Sequence, residues 1–198
     1  MKIQLGLTYK GERHYIHGSD LFNAVQFAAQ GMPGGEGAYI SRLGFNHFAY
    51  HQCELYLDEC VGSNSTVAEG ELKFSDGTDK RFCLREGTRK PTARNPYDED
   101  SMVTVAAYSG QSATLQAPIN YTTIEVVIAL TKVLNYRLAT PKQGKWVFGK
   151  IELSQSLPEI RKFITVTRTK AIPGRFSVNQ IDIDGGIVGS VQFIVGTP

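Results

Sequence analysis

Hydrophobic positions alternate from the start of the chain. Ile3, Leu5 and Leu7 share one face of an extended run over residues 2–9, and beyond Gly11 a second short run follows at His14-Tyr15-Ile16. A period of two is the pattern of a half-buried strand. The period then lengthens: Leu21, Ala24, Val25 and Ala28 recur at helical spacing behind His17-Gly18-Ser19-Asp20. This predicts a helix of about three turns, with Ser19 or Asp20 as its N-cap and Gly31 as its stop. Past the turn-rich MPGGEG, extended segments are predicted over 38–48, 50–58 and 66–74. A further strand over 79–86 is joined to its predecessor through Ser75-Asp76-Gly77-Thr78, whose Asp-Gly pair is a strong hairpin signal.

The same order recurs in the second half. Val103, Val105 and Ala107 alternate, Tyr108-Ser109-Gly110 echoes Tyr9-Lys10-Gly11, and Leu115 echoes Ile16, both at an offset of half the 198-residue chain. After Pro118 a longer apolar helix is predicted over 122–138, then extended segments over 145–153, 162–169 and 176–182. Asp184-Gly185 mirrors Asp76-Gly77 and Gly196-Thr197 mirrors Gly87-Thr88 at somewhat larger offsets. The sequence thus predicts an internal duplication, residues 1–99 and 100–198, forming together one compact unit. Superposing the halves is expected to align both helices and at least four strands. If the halves have different strand orders, the fold reading built on the duplication is lost and the functional inference goes with it. Residues 89–100, with Pro91, Pro96, Arg89, Lys90, Arg94 and Asp98, read as an exposed connector. Leu21, Val25 and Ala28 in the first helix and Val127, Leu130 and Leu134 in the second are the expected core.

Charge adds little. The 21 basic and 19 acidic side chains leave a net +2, which argues against a nucleic-acid or membrane-surface partner except through local patches. Cys53, Cys60 and Cys83 are an odd number at spacings matching no zinc or redox motif, so they read as buried thiols in a reducing cytoplasm. The chain turns polar after its first seven residues and no window approaches the roughly 18 apolar residues of a span. Neither a signal peptide nor a membrane helix is expected.

One mostly apolar helix and several hairpin-connected strands per half call for an antiparallel sheet curled around a helix, an α+β class, with a β-sandwich carrying inserted helices or an α+β domain without duplication as the other architectures. In order of elements and in length the chain resembles the hotdog superfamily, and its two halves resemble the tandem, double hotdog members. The resemblance implies that the two modules pair into a pseudo-dimer. It implies substrates carried as thioesters of coenzyme A or acyl carrier protein, whose phosphopantetheine is part of the substrate and not a separate cofactor. It also implies activity as a thioesterase or a hydroxyacyl dehydratase/hydratase, and a homo-oligomer is compatible with it. The alternatives are a non-catalytic double hotdog binding an acyl ligand or protein partner, and a structural subunit of a larger assembly.

In such proteins the active groups lie in the loop before the helix or on its first turns, where the modules meet. His17, Asp20 and Asn23 stand there: an imidazole suited to general-base work, with a carboxylate and an amide able to orient water, beside helix N–H groups that can polarise a thioester carbonyl. Ser19 and Asp20 are equally ordinary capping types, and Asn23 can simply bond to backbone. Glu125, the second helix's one acid, matches by resemblance the acid that dehydratases pair with a histidine. It is also what a first-turn glutamate favouring the helix dipole looks like. The Phe-Pro-Gly that follows the dehydratase histidine is absent after His17. Arg85, Arg89 and Lys90, in a basic run from Arg81 to Arg94, can hold coenzyme A phosphates or a carrier protein's acidic face, or serve as a charged, solvated strand edge. His14, His47 and His51 show no metal-ligand spacing, and no phosphate loop, dinucleotide fingerprint or nucleophile elbow occurs.

Overall fold

A computed structural model describes residues 1–60, 64–116 and 120–197. Pro118, expected to mark the second helix's approach, lies outside the described residues. The chain divides into two compact units, Met1–Tyr97 and Asp98–Pro198.

The first unit runs β1 (Lys2–Gln4), β2 (Tyr9–Lys10), α1 (Gly18–Gln30), β3 (Tyr39–Phe45), β4 (Cys53–Leu57), β5 (Thr66–Lys73), β6 (Asp79–Glu86) and β7 (Arg94–Asn95). Its antiparallel sheet is ordered β1-β4-β6-β5-β3. The Asp76-Gly77 turn closes the β5–β6 hairpin, with Gly77 at φ +85° and Asp76 Oδ1 accepting from the Thr78 amide and hydroxyl. Gly70 is required at its place: a Cβ there would lie 2.2 Å from the Arg42 carbonyl oxygen and 2.5 Å from the Phe82 ring. His14-Tyr15-Ile16 forms no strand; the Ile16 amide instead donates to the Ala49 carbonyl at 2.7 Å. The expectation of buried thiols is met for Cys53 and Cys83 and not for Cys60, which is exposed.

The predicted exposed connector is in part structural. Pro91 is buried, and Arg94–Asn95 pairs in parallel with β2. Arg94 also reaches the Gly11 and Arg13 carbonyls and lies over the Tyr9 ring. These backbone and guanidinium bonds tie down a segment whose prolines and charges suggested a spacer.

The second unit runs α2 (Glu99–Val103), β8 (Ala107–Ser109), β9 (Ser112–Gln116), α3 (Thr123–Leu138), β10 (Lys145–Leu153), β11 (Phe163–Ile172), β12 (Phe176–Ile183) and β13 (Gly186–Gly196). The alternating residues around Val103 open this unit as a helix, not a strand. Asp98 caps it by accepting from the Ser101 amide, Met102 and Val103 are buried, and Glu99 meets Lys132 at 2.6 Å. Local capping and burial outweigh the alternation.

This unit's sheet is ordered β8-β9-β11-β12-β13-β10. The halves therefore share a frame but not a threading. β1 pairs with β4 and β9 with β11, each the second strand after its unit's long helix, and β3 and β10, the first after it, end the series. The two strands in the middle are traversed in opposite sense, because β4 connects to β5 past β6, whereas β11 turns directly into β12. The expected identical strand order fails there, which counts against a simple duplication. The α+β class, a long helix with an antiparallel sheet, holds in each unit. Gly11 and Gly110 do share their turn conformation, at φ +50° and +55°, yet β2 pairs in parallel with β7 while β8 pairs antiparallel with β9.

The helices bury differently. In α3, Val127, Leu130 and Leu134 are buried, as is nearly every residue through Thr131. In α1, Leu21 and Val25 are buried, Ala28 is only half-buried and Phe27 is 81% exposed. No described helix is long and apolar enough to cross a membrane.

Candidate active site at the start of the first helix

The N-cap of α1 is His17, two to three residues ahead of the polar residues expected there, and its side chain makes no capping bond. Its ring is turned into the protein, where Nδ1 lies 2.7 Å from Ser19 Oγ. His17 is 8% exposed and Ser19 fully buried.

Ser19 Oγ also accepts from Lys10 Nζ at 3.3 Å, and Lys10 pairs with Asp20 Oδ1 at 2.6 Å. Lys10 is buried too, in β2 directly before the Gly11 turn. Tyr97 flanks the group: Lys10 Nζ lies 4.6 Å and Arg13 5.3 Å from its ring centre, and the His17 ring lies 5.5 Å away. A chain of contacts thus runs Asp20, Lys10, Ser19, His17 at one helix start. A buried ammonium is tolerable only with such a partner. Asp20, expected as a water-orienting group, is held by an ammonium, and its negative charge goes to balancing Lys10. Asn23 is half-buried on the next turn of α1.

Lys10 and Tyr97 escaped sequence reasoning. The parallel β2–β7 pairing and the Arg94 bonds bring the connector beside the residues before α1, and a two-residue strand leaves no periodic trace. Ser19 was visible as a cap but serves the imidazole instead.

Glu125 is engaged at its own helix. Its Oε2 accepts from the Thr122 amide and hydroxyl, each at 2.8 Å, and Thr122 accepts in return from the Glu125 amide, a complete capping box. Arg161, whose guanidinium donates to the Glu159 and Tyr121 carbonyls, lies close enough for Glu125 to oppose the lowering of its pKa by burial. The basic run is dispersed. Arg85 lies 4.4 Å over the Tyr56 ring and donates to the Glu59 carbonyl at 2.8 Å, while the Arg89 and Lys90 side chains are exposed. His14 is exposed, His47 Nδ1 lies 3.1 Å from the Phe48 carbonyl, and His51 pairs with Glu86. Among the described residues no three metal-ligating side chains converge.

No protein-family model matches the chain, and no curated protein does. Solved structures similar to it include the dehydratase domain of PpsC from Mycobacterium tuberculosis in complex with C12:1-CoA, at 12% identity and TM-score 0.49, covering 98% of this chain and 92% of that one. A bifunctional dehydratase-cyclase domain of ambruticin biosynthesis aligns at 11% identity and TM-score 0.47, covering 98% and 90%. A trans-AT polyketide synthase dehydratase domain from Brevibacillus brevis aligns at 10% identity and TM-score 0.42, covering 100% and 93%. At such distances they carry no residue role over to this chain.

Proposed function

We propose that this protein acts on acyl thioesters, with His17 as the proton-transferring base at the mouth of α1. The observation that carries the reading is a buried imidazole at a helix start, its Nδ1 fixed 2.7 Å from Ser19 Oγ. The imidazole takes a proton either from water attacking the thioester carbonyl, returning it to the departing thiolate, which is hydrolysis, or from the carbon next to that carbonyl in a 3-hydroxyacyl thioester, returning it to the departing 3-hydroxyl, which leaves as water. Backbone N–H groups of the first turn of α1 stabilise the charge developing on the carbonyl oxygen. Lys10 and Asp20 hold Ser19, and through it the imidazole. Arg89 and Lys90 are the exposed cations open to the phosphates of coenzyme A or of a carrier-bound pantetheine arm.

The test is a panel of acyl-CoA and acyl-carrier thioesters, saturated and 3-hydroxylated, monitored for free thiol and for enoyl absorbance, so that the product names the reaction. His17→Ala is expected to lose roughly 10²–10⁴-fold in turnover with the fold intact, the scale of general-base removal. A folded wild type that binds acyl chains and turns over none of the panel would replace this reading with that of a binding module.

A further inference from the structure

His17 and Lys10 sit on chain segments with little regular structure of their own, yet both are fixed from the same side. The chain between β3 and β4 supplies the anchor points. The Ala49 carbonyl accepts from the Ile16 amide at 2.7 Å, beside His17. The Tyr50 carbonyl accepts from the Tyr9 hydroxyl at 2.7 Å, beside Lys10. The Gln52 side chain brackets the Leu7 backbone, accepting from its amide at 2.9 Å and donating to its carbonyl at 2.8 Å, and Phe48 meets Tyr15 edge-on at 4.8 Å. The loop's ends are held by backbone, Asn46 donating to the Val67 carbonyl and Gln52 to that of Arg89, each at 2.8 Å, and its middle by one carboxylate. Glu86 Oε1, at the end of β6, accepts from the amides of Tyr50 and His51, the latter at 2.7 Å, and lies 3.0 Å from His51 Nδ1.

We propose that Glu86 is a positioning residue for the His17 site: it fixes the 46–52 loop, whose carbonyls place Ile16 and Tyr9 and thereby the imidazole and the ammonium next to them. The inference rests on the proposed role of His17. Glu86 touches neither His17 nor substrate and contributes no proton. Two backbone amides sharing one carboxylate oxygen fix the middle of the loop, where Ala49 and Tyr50 carry the two segments, and a loop released there loosens both. A misplacement of a base by about 1 Å costs on the order of 10²-fold in rate.

The experiment compares Glu86→Met, which removes the acceptor and keeps the bulk, with Glu86→Gln, whose amide oxygen still accepts from both backbone N–H groups. The readouts are hydrogen exchange at the Ile16 amide, the titration of the His17 ring followed by NMR, and kcat against KM on whichever thioester the wild type turns over. Glu86→Met is expected to speed exchange at Ile16 by about tenfold or more, to move the His17 titration, and to lower kcat by roughly 10–10²-fold with KM within about twofold. Glu86→Gln stays near the wild type. Should Glu86→Met not fold, Glu86→Asp, which keeps the charge and draws the acceptor back, is read in the same way. Wild-type exchange and titration in folded Glu86→Met, or a Glu86→Gln as damaged as Glu86→Met, overturns the inference. Exchange and titration do not depend on turnover, so a wild type inert toward every thioester removes the proposed function without touching this result.

Discussion

The two long helices begin in opposite ways. At α3, Thr122 and Glu125 reciprocally satisfy the first turn in a full capping box, and the polar groups there serve the helix. At α1, the N-cap side chain makes no capping bond, and His17, Ser19, Asp20 and Lys10 bond to one another. A capping box is worth about 1 kcal/mol, and forgoing it beside a buried ammonium is what a site under chemical demand looks like, since local rules tend to fail where function overrides them. The contrast also covers packing: α3 is enclosed through three turns, whereas α1 leaves Phe27 in solvent.

The comparison is most severely broken at the Lys10–Asp20 pair. Asp20→Leu strands an ammonium whose side chain is 7% exposed, and chemical denaturation is expected to show a loss of about 3–5 kcal/mol. Adding Lys10→Met should recover most of it, and a double variant as unstable as the single one would mean that the two groups are not coupled.

Slightly smaller is the packing contrast. Leu130→Ala, at a fully buried position of α3, should cost about 2–5 kcal/mol by cavity formation, whereas Phe27→Ala on α1 should change stability by less than about 0.5 kcal/mol. Equal effects would erase the distinction between an enclosed and a half-open helix.

Cys53 makes the first unit sensitive to alkali. Burial pushes the Cys53 thiol from 9.0 up to about 12. The native state thus holds a proton that the unfolded chain releases earlier, and the associated stability is complete below pH about 9 and lost as pH rises toward about 12. Hydrogen exchange should show the first unit loosening across that window before the second, and Cys53→Ala should flatten the dependence.

The cap contrast gives the smallest effect. Thr122→Ala should cost about 1 kcal/mol, with no loss of turnover. A comparable penalty in turnover would place α3's N-terminus in the chemistry after all.

Much of the scaffold was legible. β6 and β10 fall on the residues that alternation indicated, the Asp-Gly hairpins are where turn chemistry put them, and α3 follows its apolar run. Alternation says that a segment is a strand but not which strand it pairs with, so the opposite threading of the middle strands could not be read from it. Val103 misled because a short capped helix and a strand look alike over a few residues. His17 could be singled out from its place before an apolar helix. Lys10 and Tyr97 could not, because they reach it through a parallel pairing of two-residue strands far apart in sequence.

The central claim, that chemistry belongs to the start of α1 and capping to the start of α3, is tested most directly by one substitution made twice. Turnover of the thioester panel is measured for His17→Gln and Glu125→Gln beside their melting temperatures. The account predicts that His17→Gln loses roughly 10²–10⁴-fold in turnover while melting near the wild type, and that Glu125→Gln melts a few degrees lower, as loss of about 1 kcal/mol implies, with turnover retained. A Glu125→Gln protein that melts normally and is inactive, beside an active His17→Gln, would contradict it.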